Sequence, residues 1–159
     1  MSHHTQDNSG IKQAEHLDID QVAEIIEVLD VMIYQYNMTQ SYVVYASPNS
    51  EKVVGVSHDE IMKMEFFHDI FTHFHEDDQA MISKAVNEML ADPGELKTLT
   101  FRKRNNDGSY DWIHEHVRCS IDRETGDSII TGAIRNITSE RKNEEIIAEL
   151  TRRINEPCK

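Results

Sequence analysis

The chain has 159 residues and a formal net charge of -13 at pH 7. That length fits one domain with flanking segments and lets roughly two thirds of the unfolded surface be buried. The acidic balance repels phosphate backbones and anionic lipid, which excludes nucleic acid as a partner class for this segment. No apolar run approaches the ~20 residues that span a bilayer, so no membrane insertion by this segment is expected. No charged-then-apolar leader opens at Met1, and two cysteines, Cys119 and Cys158, make no disulfide framework. The expectation is a reduced, cytoplasmic setting.

Residues 1–15 are polar and without periodicity, and read as a disordered arm. A flanking helix is expected within 16–31, capped by Asp18 or Asp20 and helical over roughly 19–30. Val22, Ile25, Ile26 and Leu29 fall at helical spacing and form one apolar stripe, which needs a partner surface. Two strands follow, Met32 to Tyr36 and Ser41 to Tyr45, rich in Tyr and Val. Ser47-Pro48-Asn49-Ser50 then opens a short helix that Gly55 ends. Ser57 starts another short helix, and Phe66 to Phe74 is an apolar connector.

His75-Glu76-Asp77-Asp78 leads the longest helix, its carboxylates placed where the helix dipole favours negative charge. Met81, Ile82, Ala85, Val86, Met89 and Leu90 form its apolar stripe, and Asp92-Pro93-Gly94 stops it. Three strands are expected over about 96–105, 109–121 and 128–137, the first two joined through Asn106-Asp107-Gly108-Ser109. A final helix runs from Ser139 toward Asn155, within a linker segment of 139–159. Ile147, Leu150 and Ile154 recur along it as the start of a coiled-coil seam.

Four stretches in this order carry a family likeness. They are Tyr45-Ala-Ser-Pro-Asn-Ser-Glu-Lys-Val-Val-Gly55, His75-Glu-Asp-Asp78, Phe101-Arg-Lys-Arg-Asn-Asn-Asp-Gly-Ser-Tyr-Asp-Trp-Ile113 and Gly132-Ala-Ile-Arg-Asn-Ile-Thr-Ser-Glu-Arg-Lys142. The chain resembles a PAS domain of the S-box type, with residues 32–138 as the domain itself. Two positions depart from the family pattern. Glu76 stands where Pro is common, and Asn136 where Asp is favoured before Ile137-Thr138. The resemblance implies an α+β fold, with a five-stranded antiparallel sheet carrying short helices over one face and flanking helices at both ends.

Strand alternation separates Trp112, His114, His116 and Arg118 from Ile113, Glu115, Val117 and Cys119. By the resemblance, the second set faces a pocket between sheet and helices, near Leu99. The expected ligand-binding residues are Phe71, Met81, Ala85, Phe101, Ile113, Glu115 and Ile134. Glu115 is the polar member of an apolar face. It is either a handle for a ligand, or a carboxylate satisfied by a backbone group or Lys103, or one at the pocket's open edge. The pairs His73/His75 and His114/His116 supply too few ligands for a structural metal site, and no metal is expected.

Haem-binding relatives carry a histidine on the longest helix, and this one has none between Asp77 and Leu90. Flavin photosensors carry a cysteine ahead of it, and Lys63 to Phe74 has none. Haem and cysteine-adduct flavin are therefore not expected, and the cofactor, if any, stays unknown. No convergent catalytic set emerges, so the chain reads as a regulatory module and not an enzyme.

The resemblance implies a sensor that relays a small-molecule or partner signal through its last helix to an effector outside this chain. A histidine kinase or a GGDEF-type cyclase is the expected effector. Asn136 and Thr138 form the signal junction. A homodimer is expected through Val22, Ile25, Ile26, Leu29, Ile147, Leu150 and Ile154. The alternative is a ligand-free dimerisation domain.

Overall fold

The structure, a computed structural model, describes residues 19–155. The expected arm over 1–15, residues 16–18 and the tail 156–159 with Cys158 lie outside the described residues. Among the described residues twelve elements follow the order expected, with small shifts at their ends. Helix α1 (Ile19–Val28) precedes strands β1 (Met32–Asn37) and β2 (Tyr42–Ala46). Helices α2 (Ser50–Val54) and α3 (His58–Ile61) come next, then a π-helical turn (Phe66–Ile70) and a 3₁₀ turn (Phe71–His73). Helix α4 (Glu76–Ala91) leads to β3 (Lys97–Arg104), β4 (Tyr110–Ile121), β5 (Ser128–Asn136) and α5 (Thr138–Asn155).

The strands form one sheet in the order β2-β1-β5-β4-β3, with every neighbouring pair antiparallel. The last strand in sequence is thus the middle strand in space. Two hairpins, β1–β2 and β3–β4, are held together by β5 between them. Inward residues at period two, among them Met32, Tyr36, Ile113, Val117 and Ile130, are buried against Val53, Val54, Ile61, Ile82, Val86 and Met89 from the helices. Cys119 is fully buried in this core, and burial pushes its thiol upward.

Local chemistry explains the short helices. Gly55 stands at the C-cap of α2 with φ of 70°, a left-handed backbone that glycine adopts without a Cβ penalty. Pro48 precedes the first helical residue Ser50 instead of occupying an early helical position, so the proline shapes the entry and not the first turn. Ser57 and Glu60 form a reciprocal capping box on α3.

Glu76, Asp77 and Asp78 stand in the first turn of α4, where the helix dipole favours their charge. His75 is the N-cap, its Nδ1 accepting from the Asp77 backbone N–H at 3.2 Å. Asp78 does not cap the helix but reaches β3. Its Oδ2 accepts from the Arg102 backbone N–H at 2.8 Å and from Nε at 3.0 Å, and Oδ1 accepts from Nη2 at 2.8 Å. Such a forked pair fixes direction as well as distance. The guanidinium holds the Asp78 carboxyl below its ordinary range. This clamp, with the Phe74–Lys103 bridge, ties the connector and α4 to the sheet.

Candidate functional site

Between the sheet and α2–α4 lies a largely apolar cavity of ≈ 140 Å³. Three of its walls follow from elementary periodicity. Strand β4 presents Ile113, Glu115 and Val117 at every second position, β5 presents Ile130 and Ile134, and α4 presents Ile82, Val86 and Met89 one turn apart. The connector closes the rim with edge-on aromatic packing, Phe71 against Phe74 with ring centroids at 5.8 Å and Phe74 against Phe101 at 4.9 Å.

Of the residues expected to bind a ligand, Phe101, Ile113, Glu115 and Ile134 line this cavity. Met81, Ala85 and Phe71 do not. Met81 is 38% exposed, because it sits at the edge of the α4 stripe and turns toward solvent while Ile82 turns inward. Ala85 is buried, but its methyl is too short to reach the cavity past its larger neighbours. Phe71 packs on the flanking rings Phe66 and Phe74, behind the cavity wall.

Glu115 is 6% exposed at the floor of the cavity. Its partner is neither a backbone group nor Lys103. Lys103 Nζ turns to the β3–β4 hairpin, where it donates to Asn105 Oδ1 at 3.0 Å. The Tyr34 hydroxyl donates a short hydrogen bond to Glu115 Oε1. These residues stand on strands that are not neighbours, since β5 runs between β1 and β4. The contact exists because Gly132 lies opposite Tyr34 on β5. A Cβ there would clash with the ring and hydroxyl of Tyr34, so the phenol crosses β5 where a side chain is missing. Burial raises the Glu115 carboxyl to about 7, against a smaller lowering by the Tyr34 bond. Burial, then the adjacent carboxylate, pushes the Tyr34 phenol well above its usual range.

Sequence reasoning missed Tyr34. Its signals were the inward parity of Met32, Tyr34 and Tyr36, and a glycine inside a strand of β-branched neighbours.

The far side of β4 holds the base of α5. Ile113 lines the cavity, and its neighbour Trp112 points the opposite way. The Trp112 backbone N–H donates to Thr138 Oγ1 at 2.8 Å, and its carbonyl accepts from the Ile137 N–H at 2.8 Å. Asn136 Oδ1 accepts from the Thr138 N–H at 3.0 Å and from its hydroxyl at 2.7 Å. The Arg141 guanidinium lies 4.7 Å from the centre of the Trp112 ring. Asn136 and Thr138 thus meet at the junction where the sheet becomes a helix.

The two expected seams are open. Val22 and Ile25 on α1, Leu29 just past its end, and Ile147, Leu150 and Ile154 on α5 are exposed, with Leu150 at 52%. Ile26 is half-buried, and its carbonyl accepts from Asn49 Nδ2 at 3.5 Å. His114 and His116 face outward with rings 5.0 Å apart, each Nδ1 3.0 Å from a threonine hydroxyl of β3. Among the described residues no group of three or more metal-ligating side chains converges. No helix among them is long and apolar enough to cross a membrane.

The profile of the PAS fold family matches residues 43–134, more than half of the chain. A comparison with curated protein sequences finds no match. Solved structures share the architecture. A sensory box histidine kinase/response regulator from Burkholderia thailandensis aligns with a TM-score of 0.63 at 17% identity, over 84% of this chain and 96% of that one. The PAS domain of a Colwellia psychrerythraea protein aligns with a TM-score of 0.59 at 18% identity, over 76% and 97%. The N-terminal domain of a diguanylate cyclase with PAS/PAC sensor from Marinobacter aquaeolei gives 0.58 at 20% identity, over 70% and 98%.

A five-stranded antiparallel sheet with helices over one face and a largely apolar cavity between them is an α+β fold of the PAS type, a class of regulatory sensor modules. The chain belongs to the PAS fold family.

Proposed function

We propose that this domain senses a small molecule in its cavity and relays occupancy through α5 to an output domain outside this chain. The observation that carries the reading is the adjacency of Ile113 and Trp112. One lines the cavity, and the next grips the first turn of α5 through both of its backbone polar groups. A displacement of β4 by a ligand changes the seat of the helix, and a packed strand moves between discrete positions more readily than it deforms. The exposed stripes on α1 and α5 favour a homodimer in which two α5 helices leave side by side. A histidine kinase or a diguanylate cyclase is the output in keeping with the folds that align.

The test fills the cavity from inside. Val117→Phe from the sheet and Val86→Phe from α4 each place a ring where a ligand would sit. Hydrogen exchange of residues 138–150 is compared with wild type. The reading expects exchange in the first two turns of α5 to change at least ~tenfold while the β5 amides stay protected. Unchanged α5 exchange in both folded variants contradicts it.

A further inference from the structure

We infer that the cavity is built for a small primary amine, an ammonium group on a compact apolar body, with Glu115 as its anchor. This rests on the sensor reading and assigns its ligand a chemical class.

Three observations lead there. First, Glu115 is more than nine-tenths buried at the cavity floor, and Tyr34 occupies one of its oxygens. The other, Oε2, has no hydrogen-bond partner among the described residues and keeps some accessible surface. A carboxylate in such surroundings is stable when a cation meets it.

Second, the protein does not supply that cation. The basic side chains lining the cavity are Lys103 and His73. Lys103 Nζ is bonded at the hairpin, and His73 Nδ1 lies 2.6 Å from the Asp69 carbonyl oxygen. The other titratable groups facing Glu115 across the cavity are the phenols of Tyr34 and Tyr36. Helix α4 and strand β5 contribute apolar side chains. Burial raises the Glu115 carboxyl and the Tyr34 hydrogen bond lowers it.

Third, the remaining walls suit the body of such a molecule. The cavity volume of ≈ 140 Å³ is on the order of the ~150 Å³ apolar cavities that take benzene. The rings of Tyr36, Phe74 and Phe101 add apolar area to the lining.

Binding of the ammonium requires the ionised carboxylate. Below the Glu115 titration the bound amine displaces a proton, so affinity falls as pH decreases and levels off above about 7.

The experiment uses the full chain and three probes of matched shape: toluene, benzyl alcohol and benzylamine. Calorimetry gives affinity, and ¹H–¹⁵N spectra map the site. Benzylamine is expected to bind at least ~tenfold more tightly than either neutral probe at about pH 8, with shifts at the Ile113, Val117 and Ile134 amides. Its affinity drops at least ~tenfold toward pH 5. Glu115→Gln, close to isosteric, is expected to abolish the amine preference and to leave toluene binding unchanged. Toluene binding as well as benzylamine overturns the amine assignment and leaves the sensor reading standing. Benzylamine shifts confined to the acidic surface, or retained in Glu115→Gln, also overturn it. If no probe moves a cavity amide the assignment fails, while the cavity-filled variants judge the sensor reading separately.

Discussion

The Tyr34 hydroxyl reaches the Glu115 carboxylate across an intervening strand, through the gap left by Gly132. This cross-strand contact links β1, β5 and β4 at the cavity floor. It puts an ionisable group in contact with the strand that seats α5.

The buried carboxyl makes stability depend on pH. The folded state holds the Glu115 proton up to about 7, whereas the ordinary carboxyl releases it near 4.5. Between those values the folded protein binds more protons than the unfolded chain, so stability falls as pH rises and is flat beyond. The penalty above about pH 7 is roughly 3 kcal/mol by linkage. Glu115→Gln is expected to be more stable than wild type at about pH 8, and the difference to shrink toward about pH 4.5. Urea denaturation across this range reads it. A difference that does not vary with pH contradicts the assignment.

Tyr34→Phe removes the hydrogen bond that lowers the Glu115 carboxyl. Its titration, followed by carbon NMR of the labelled carboxylate, should move to higher pH. Stability at neutral pH should fall by about 1–3 kcal/mol, the cost of losing one partner of a buried pair. An unmoved titration would mean that the phenol does not engage Glu115 in solution.

Gly132→Ala places a methyl against the Tyr34 ring. Because the clash is with a side chain and not the backbone, it should cost about 1–3 kcal/mol alone. The double variant Gly132→Ala, Tyr34→Ala should be less destabilised than the sum of the single changes. Additive losses in a denaturation cycle would show that the two residues do not share this space.

Asp78 works in the opposite pH sense to Glu115. Its carboxyl is held down by Arg102, so its contribution is present above the ordinary carboxylate value and is lost as pH falls through the lowered one. Asp78→Ala leaves the Arg102 backbone N–H without its acceptor and the partly buried guanidinium with the longer Asp77 ion pair at 3.5 Å. It should destabilise the domain by about 2–3 kcal/mol at neutral pH and by less near pH 3, measured by thermal denaturation.

How much of this was legible in the sequence follows from the range of each interaction. Alternation along β4 places Ile113, Glu115 and Val117 on one face, because the period of two is a property of the strand itself. The stripe on α4 is legible too, but not its edges. Met81 and Ile82 are one residue apart, and 100° of rotation sends one to solvent and the other to the cavity. Partners across the fold are not legible. Tyr34 meets Glu115 because β5 inserts between the two hairpins, and Asp78 meets Arg102 because α4 packs back on β3. Both depend on strand order and packing, which no local pattern encodes. The glycine that admits Tyr34 was visible as Gly132, but its meaning needed the strand opposite.

The relay from cavity to outgoing helix is read most directly by electron spin resonance distances between α5 helices of a dimer. A label at Ala148→Cys, in a Cys158→Ser background with the buried Cys119 retained, reports the helix pair. A resolved interspin distance is expected in the wild-type background, and a shifted one when Val117→Phe fills the cavity. No dipolar coupling, or the same distance in both proteins, would contradict a signal carried from cavity to helix.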